Sequence, residues 1–243
     1  MGLRYTIEAG TGASAGFCLI PTRRAPVASV LPHAIPRMAQ FFHIHPDNPQ
    51  PRLIAQAVKF LQAGAVIVYP TDSLYALGCL LGDKAAQERI RHIRQLGPKH
   101  DFSLVCRDLS ELSTYAKVEN TAYRLLRTLT PGPYTFLLKA THEVPRRLQN
   151  PNRKTIGLRV PENAIVQALL AAHGEPIMSV SLMLPGLDEP LTDPEEIYER
   201  LSNQVDLVID GGFSANSPTT VLDLVDGRPV LVREGLGDIG FLE

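Results

Sequence analysis

The chain has 243 residues and a mass of 26.6 kDa, the size of one domain around one large core, since single cores stop growing near ~250–300 residues. With 44% hydrophobic and 20% charged residues, it has the apolar content to bury a core and lies far from the composition of a disordered chain. The net charge of -1 hides an asymmetry: residues 84–159 carry 15 basic and 6 acidic side chains, residues 160–243 only 3 basic and 15 acidic, so a polyanionic ligand is not excluded if the basic third forms one surface. Cys18, Cys79 and Cys106 have neither zinc-like nor redox-like spacing, and their odd number gives no disulfide framework. That pattern predicts a reducing cytoplasm. The longest apolar run, Ala63 to Tyr69, has strand length and falls well short of the ~20 residues of a membrane span.

Residues 1–37 contain four prolines and several glycines without apolar periodicity. They read as a disordered extension or the product of a misassigned start, with the domain occupying residues 38–243. Basic residues follow the short apolar patch Phe17 to Ile20 instead of preceding it, which argues against a secretion signal. A helix is predicted from a cap at Asn48 to Gly64, with Leu53, Ile54, Ala57, Val58 and Leu61 on one face. Ala65 to Tyr69 reads as a buried strand, which Pro70 ends before a polar loop.

Asp83 caps a second helix to about Gln95, Phe102 to Cys106 is a strand, and Asp108-Leu109-Ser110-Glu111 has capping-box spacing. Further helices are expected at Asn120 to Leu129, Asn163 to Ala172 and Asp193 to Leu201. Strands are expected at Tyr134 to Ala140, Thr155 to Val160, Ile177 to Leu182, Val205 to Ile209, Thr220 to Val225 and Pro229 to Arg233. Asp226-Gly227 makes the last two an antiparallel hairpin. The pattern predicts a single α/β domain, a twisted mixed sheet with flanking helices.

No Gly-x-Gly-x-x-Gly turn joins a predicted strand to a predicted helix, the run Gly235 to Gly240 included, and no Walker-type loop is present, which excludes the common dinucleotide and P-loop sites. His43 and His45 lack a carboxylate at a ligand offset and read as polar residues on an edge segment, so no protein-held metal is expected. What remains are polar residues at strand ends. The stretch Tyr69 to Gly78 places hydroxyls directly after a strand, where open α/β sheets bind ligands. Arg159 and Arg233 close two other strands, Ser179 and Ser181 alternate along a third, and Pro218-Thr219-Thr220 begins a fourth. Arginines and hydroxyls converging in this way would form a cradle for phosphate or carboxylate.

Five segments in order carry a family resemblance: Tyr-Pro-Thr-Asp-Ser-Leu-Tyr-Ala-Leu-Gly at 69–78, Pro-Gly-Pro-Tyr-Thr-Phe at 131–136, Ile-Gly-Leu-Arg-Val-Pro at 156–161, Pro-Thr-Thr-Val-Leu-Asp at 218–223 and Val-Arg-Glu-Gly at 232–235. The set resembles the YrdC/YciO family of threonylcarbamoyl-adenylate synthases and their paralogues. Residues 41–95 and 106–115 look like its YciO branch. The resemblance implies a twisted α/β fold with a basic concave groove, tRNA or double-stranded RNA as partner, and ATP, with Mg2+, L-threonine and bicarbonate as reactants in making threonylcarbamoyl-AMP. It implies roles at Arg94 and Ser181 in catalysis, at Thr71, Arg159 and Thr219 on threonine, and at Thr135 and Arg233 on nucleotide. Thr219 stands where the family usually has serine.

Two positions depart from the synthase pattern. A Lys-x-Arg pair is replaced by Arg94-Gln95-Leu96, and Ser-x-Asn by Ser181-Leu182-Met183, losing one cation and one amide at a phosphate site. Lys99 or His100 could replace the cation from the following loop. Ten basic residues, Arg89, Arg91, Arg94, Arg124, Arg127, Arg146, Arg147, Arg153, Lys154 and Arg159, could line one RNA groove, with Arg146, Arg147, Arg153 and Lys154 touching the RNA. Two functions follow. One is an enzyme of threonylcarbamoyl-adenosine chemistry; the other is an RNA-binding paralogue without efficient synthase activity, acting on tRNA that is already modified.

Overall fold

The computed structural model of the chain describes residues 38–97, 102–150 and 152–242. The segment 1–37, Lys99 and His100 lie outside them, as does the side chain of Arg147. The helices start where local chemistry tells them to. α1 (Pro51–Gln62) begins two residues later than the Asn48 cap predicts, because Gln50 precedes a proline and is held extended at φ -68, ψ 119. α2 (Lys84–Arg94) is capped by Asp83, which accepts from the Ala86 N–H at 3.0 Å. Asp108 caps α3 (Leu109–Tyr115) through the Glu111 N–H at 2.8 Å, and the Glu111 carboxylate accepts from the Arg107 N–H at 2.6 Å. The capping box is thus formed, with its return bond one residue early. α4 spans Asn120–Leu129, α5 spans Ala164–His173 behind an Asn163 cap, and α6 spans Pro194–Leu201 behind an Asp193 cap.

Among the described residues eleven strands form one mixed sheet: β1 (Gln40–His43), β2 (Ile67–Tyr69), β3 (Ala76–Leu80), β4 (Ser103–Val105), β5 (Ala116–Lys117), β6 (Tyr134–Ala140), β7 (Thr155–Arg159), β8 (Ile177–Ser181), β9 (Leu207–Asp210), β10 (Thr220–Asp223) and β11 (Val230–Arg233). Their order is β1-β9-β2-β3-β8-β4-β7-β6-β10-β11, with β5 paired to the far end of β6. The predicted hairpin of β10 and β11 is antiparallel. The sequence signals did not give β1, β3 and β5. Residues 74–79 are buried throughout, so β3 shows no alternation and reads as a continuation of the loop before it.

Alternation across the sheet separates two apolar layers. One face carries Val68, Leu77, Leu104, Phe136, Leu138, Ile156, Leu158 and Met178 beneath the apolar sides of α2, α3, α4 and α6. The opposite face carries Ile67, Tyr69, Ala76, Val105, Ile177, Leu207 and Ile209 beneath α1 and α5. The residues of β6 and β7 on that second face are Thr135, Leu137, Lys139, Thr155, Gly157 and Arg159, and they do not belong to the cluster under α1 and α5. Half of one sheet face is therefore polar and left for a site. Among the described residues no helix is long and apolar enough to cross a membrane.

Gly78 keeps the covered half in register. A Cβ there would stand 2.6 Å from Tyr69 Cε1 and 2.9 Å from Ile177 Cγ2, both on core side chains with little room to yield. Gly78→Ala is expected to destabilise the fold by about 1–3 kcal/mol, read as a lower urea midpoint with an unchanged slope.

Candidate functional site

The floor of the polar half is set by register. Ser103 of β4 pairs with Gly157 of β7 on one side and Ser179 of β8 on the other. A Cβ on Gly157 would stand 2.7 Å from Ser103 Oγ, so the glycine keeps the floor open at its centre. Tyr69, lying under Gly78, donates its hydroxyl to Ser179 Oγ at 2.7 Å. Burial pushes the Tyr69 phenol up to about 12, so it stays a donor and leaves the Ser179 proton to serve a ligand.

Arg159 closes β7 and is buried. Its Nη2 pairs with Asp72 Oδ1 and reaches Ser73 Oγ at 3.2 Å and Thr71 Oγ1 at 3.4 Å. Asp72 Oδ2 in turn accepts from the Glu162 N–H at 2.9 Å. Arg159 Nε is buried without a hydrogen-bond partner, and the side chain lines the cavity.

The opposite wall comes from the last hairpin. Arg233 donates from Nε and Nη2 to the Thr219 carbonyl at 3.2 and 2.9 Å, and from Nη2 to Thr219 Oγ1 at 3.2 Å. Thr219 Oγ1 lies 2.8 Å from Thr135 Oγ1. Gly235 permits this packing, because a Cβ there would stand 2.3 Å from the Pro218 carbonyl oxygen. Burial, and secondarily the positive charge of Arg159, lowers the Arg233 pKa. Arg94, at the end of α2, is lowered by burial, and its Nε is also buried without a partner.

The result is a cavity of about 180 Å³ walled by Arg94, Arg159 and Arg233, by Ser103, Thr135, Ser179, Ser181 and Thr219, and by Phe102, Leu137, Val221 and Met183. Among the described residues no carboxylate lines it; Asp72, which pairs with the Arg159 of its wall, is spent on Arg159 and the Glu162 N–H. Such a wall attracts an anion and offers hydroxyls to orient it. Among the described residues no three His, Cys, Asp or Glu side chains cluster as metal ligands, so the donor set does not fit a magnesium ion held by the protein.

Six of the seven residues predicted for the reaction, Arg94, Ser181, Arg159, Thr219, Thr135 and Arg233, line this one cavity. Thr71 does not. Its hydroxyl donates to the Leu74 carbonyl at 2.6 Å and accepts from the Ser73 N–H at 3.1 Å, so it shapes the turn that supports Arg159. Sequence reasoning missed Ser103 as a site residue and Asp72 as the partner of Arg159. The signal for Ser103 was available, a lone hydroxyl opening an otherwise apolar strand; nothing local pointed to Asp72, whose partner lies 87 residues away.

The ten basic residues do not share one groove. Arg89 pairs with Asp206 at 2.8 Å, Arg91 stacks on the Phe102 ring, and Arg94 and Arg159 turn into the cavity. Among the residues predicted to touch RNA, Arg153 is tied to Asp223 at 2.5 Å. Arg146 and Lys154 line a separate pocket together with Lys117 and His142.

Comparison with known proteins identifies the family and the fold. The family model for Sua5, YciO and YrdC proteins, described as telomere recombination, matches residues 59–235. The chain belongs to this family. It is 63% identical to Escherichia coli YciO over 202 residues, covering 83% of this chain and 98% of that one. The crystal structure of E. coli YciO superposes with a TM-score of 0.81 over 84% of this chain and 98% of that chain. A threonylcarbamoyl-AMP synthase of Vibrio vulnificus is 31% identical over 186 residues, 75% of this chain and 98% of its own. P. abyssi Sua5 complexed with L-threonine matches at 25% identity and a TM-score of 0.74, covering 80% of this chain and 57% of that longer protein. The mixed α/β fold expected from the sequence is thus that of YciO and Sua5.

Both members of the Asp72–Arg159 pair are buried. Asp72→Ala leaves a buried guanidinium without its counter-charge and is expected to destabilise the protein by about 3–5 kcal/mol. A thermal or urea melt checks this; an unchanged midpoint would show that the pair does not hold the loop.

Proposed function

We propose that the protein acts in threonylcarbamoyl-adenosine chemistry, its cavity holding the threonyl part of a threonylcarbamoyl adenylate. The observation that carries this reading is the wall of three arginines and five hydroxyls without a carboxylate among the described residues. About 180 Å³ accommodates an amino-acid-sized anion but falls below the ~300–1,000 Å³ of a complete small-molecule site. A nucleotide would therefore extend out past Met183, which is 40% exposed at the wall. That the Sua5 relative is seen with L-threonine supports the same assignment.

In the synthase direction, threonine nitrogen first takes up bicarbonate carbon with loss of water. A carbamate oxygen then attacks the α-phosphorus of ATP, forming the O–P bond as the bond to pyrophosphate breaks. Arg159, fixed by Asp72, would hold the threonine carboxylate. Arg94 and Arg233 would neutralise the phosphoryl charge that grows in the transition state, and Ser179, Ser181 and Thr219 would orient the ligand. Magnesium would arrive with the triphosphate as part of the substrate.

The test is pyrophosphate release with ATP, magnesium, bicarbonate and L-threonine, using L-serine as control. Threonine-dependent release is expected, and Arg233→Ala should reduce it about 10- to 100-fold, the worth of one charge-assisted hydrogen bond. Met183→Asn should raise it. Absence of release from both the native protein and the Asn variant would overturn the synthase direction.

The second reading is RNA binding, favoured by the pocket of about 810 Å³ that gathers Lys117, His142, Arg146 and Lys154. It lies beside Ala140, at the far end of β6 from Thr135, and its cations suit a phosphate backbone. Reversing Arg146 and Lys154 to glutamate should weaken tRNA binding and flatten the dependence of log K on log salt by roughly 2, near 0.9 for each phosphate that is no longer neutralised. An unchanged slope would remove this surface from the RNA interface.

A further inference from the structure

We propose a second binding site, for a nucleotide unit, in the cleft on the other side of the Val160–Asn163 segment from Arg159. This cleft, about 850 Å³, lies between the outer side of α4, the α3 amino-terminal turn and the start of α5. Its volume falls within the ordinary range of ligand sites, whereas the arginine cavity is about 180 Å³. The proposal does not depend on the chemistry assigned to that cavity.

The lining identifies the ligand class. Tyr123 is 47% exposed on α4, an aromatic face for which the fold supplies no partner among the described hydrogen bonds and ring contacts. Arg127 stands one helical turn further on the same side of α4. It makes no ion pair among the described residues, unlike Arg107 across the cleft, which is held by Asp108 at 3.1 Å. Pro131 and Pro161 give flat apolar walls, and Glu162 leaves an exposed carboxylate at the rim. A planar aromatic surface beside an unpaired guanidinium, with an acceptor near by, matches a base, its phosphate and its hydroxyl or amine donors. A simple anion would not use Tyr123, and an apolar ligand would leave Arg127 unanswered.

The shared wall is held from both sides. The Gly132 N–H donates to the Val160 carbonyl at 2.9 Å, and the Glu162 N–H is bonded to Asp72. The cleft is therefore as well fixed as the cavity behind it. A free mononucleotide and one nucleotide of a single-stranded RNA present the same chemistry here, and two probes tell them apart.

Binding of 5′-AMP and of a short single-stranded oligoribonucleotide would be titrated calorimetrically against the full-length protein and its variants, each first checked for an unchanged melting temperature. Measured in an Arg233→Ala background, which removes a cation from the arginine cavity, Tyr123→Ala and Arg127→Glu should each weaken the remaining binding about tenfold or more, while Tyr123→Phe should retain it. The same pattern seen with 5′-AMP identifies a free-nucleotide site; seen only with the oligonucleotide, it identifies an RNA-binding role. No binding of either probe in that background, or binding that Tyr123→Ala and Arg127→Glu leave unchanged, overturns the proposal.

Discussion

The arrangement depends on one buried ion pair. An arginine taken out of water is tolerated only with a counter-charge and hydrogen bonds, and Arg159 obtains them from a loop that the sheet order places far away. Between β7 and β2 stand β4, β8 and β3, yet the turn after β2 delivers Thr71, Asp72 and Ser73 to the Arg159 guanidinium. Through the Glu162 N–H, the same carboxylate also fixes the turn that leads into α5. One charge requirement thus joins two loops, the end of β7 and the start of the helix that covers the neighbouring half of the sheet.

The two remaining arginines show the opposite logic. Arg94 and Arg233 are lowered by burial, Arg233 also by its like-charged neighbour, and neither meets a carboxylate in the cavity wall. Thr219 and Thr135 relay hydrogen bonds from Arg233 across the wall, which orients the guanidinium without neutralising it. In a low-dielectric recess this is destabilising when empty and favourable when an anion enters. Stability is given up at the place where binding gains from it.

Much of this could be read from the chain. Caps at Asp83, Asp108, Asn163 and Asp193 fall where the residue types placed them, because capping is decided within three or four residues. Arg159 and Arg233 were visible as strand-end cations for the same reason. What escaped was nonlocal. β3 gives no alternation because both its faces are buried, and Asp72 is indistinguishable from a turn residue until β7 is folded against it. The ten basic residues failed as a single groove because sequence order does not tell which face a side chain takes. Part of the acidic last third answers the basic middle third: Asp206 pairs with Arg89, and Asp223 with Arg153.

The two departures from the synthase pattern also separate once placed in space. Leu96 is packed against the large apolar cluster and does not line the cavity, so its side chain serves the core, and a cation there would have to leave that cluster or be desolvated. Met183 does line the cavity, where a thioether offers at best a weak acceptor in place of an amide that both donates and accepts. Of the two positions, only Met183 thus stands at the cavity wall. Under the function proposed above, the arginines and hydroxyls of the cavity wall would hold the threonyl end of the ligand independently of the contact that Met183 makes with its nucleotide end.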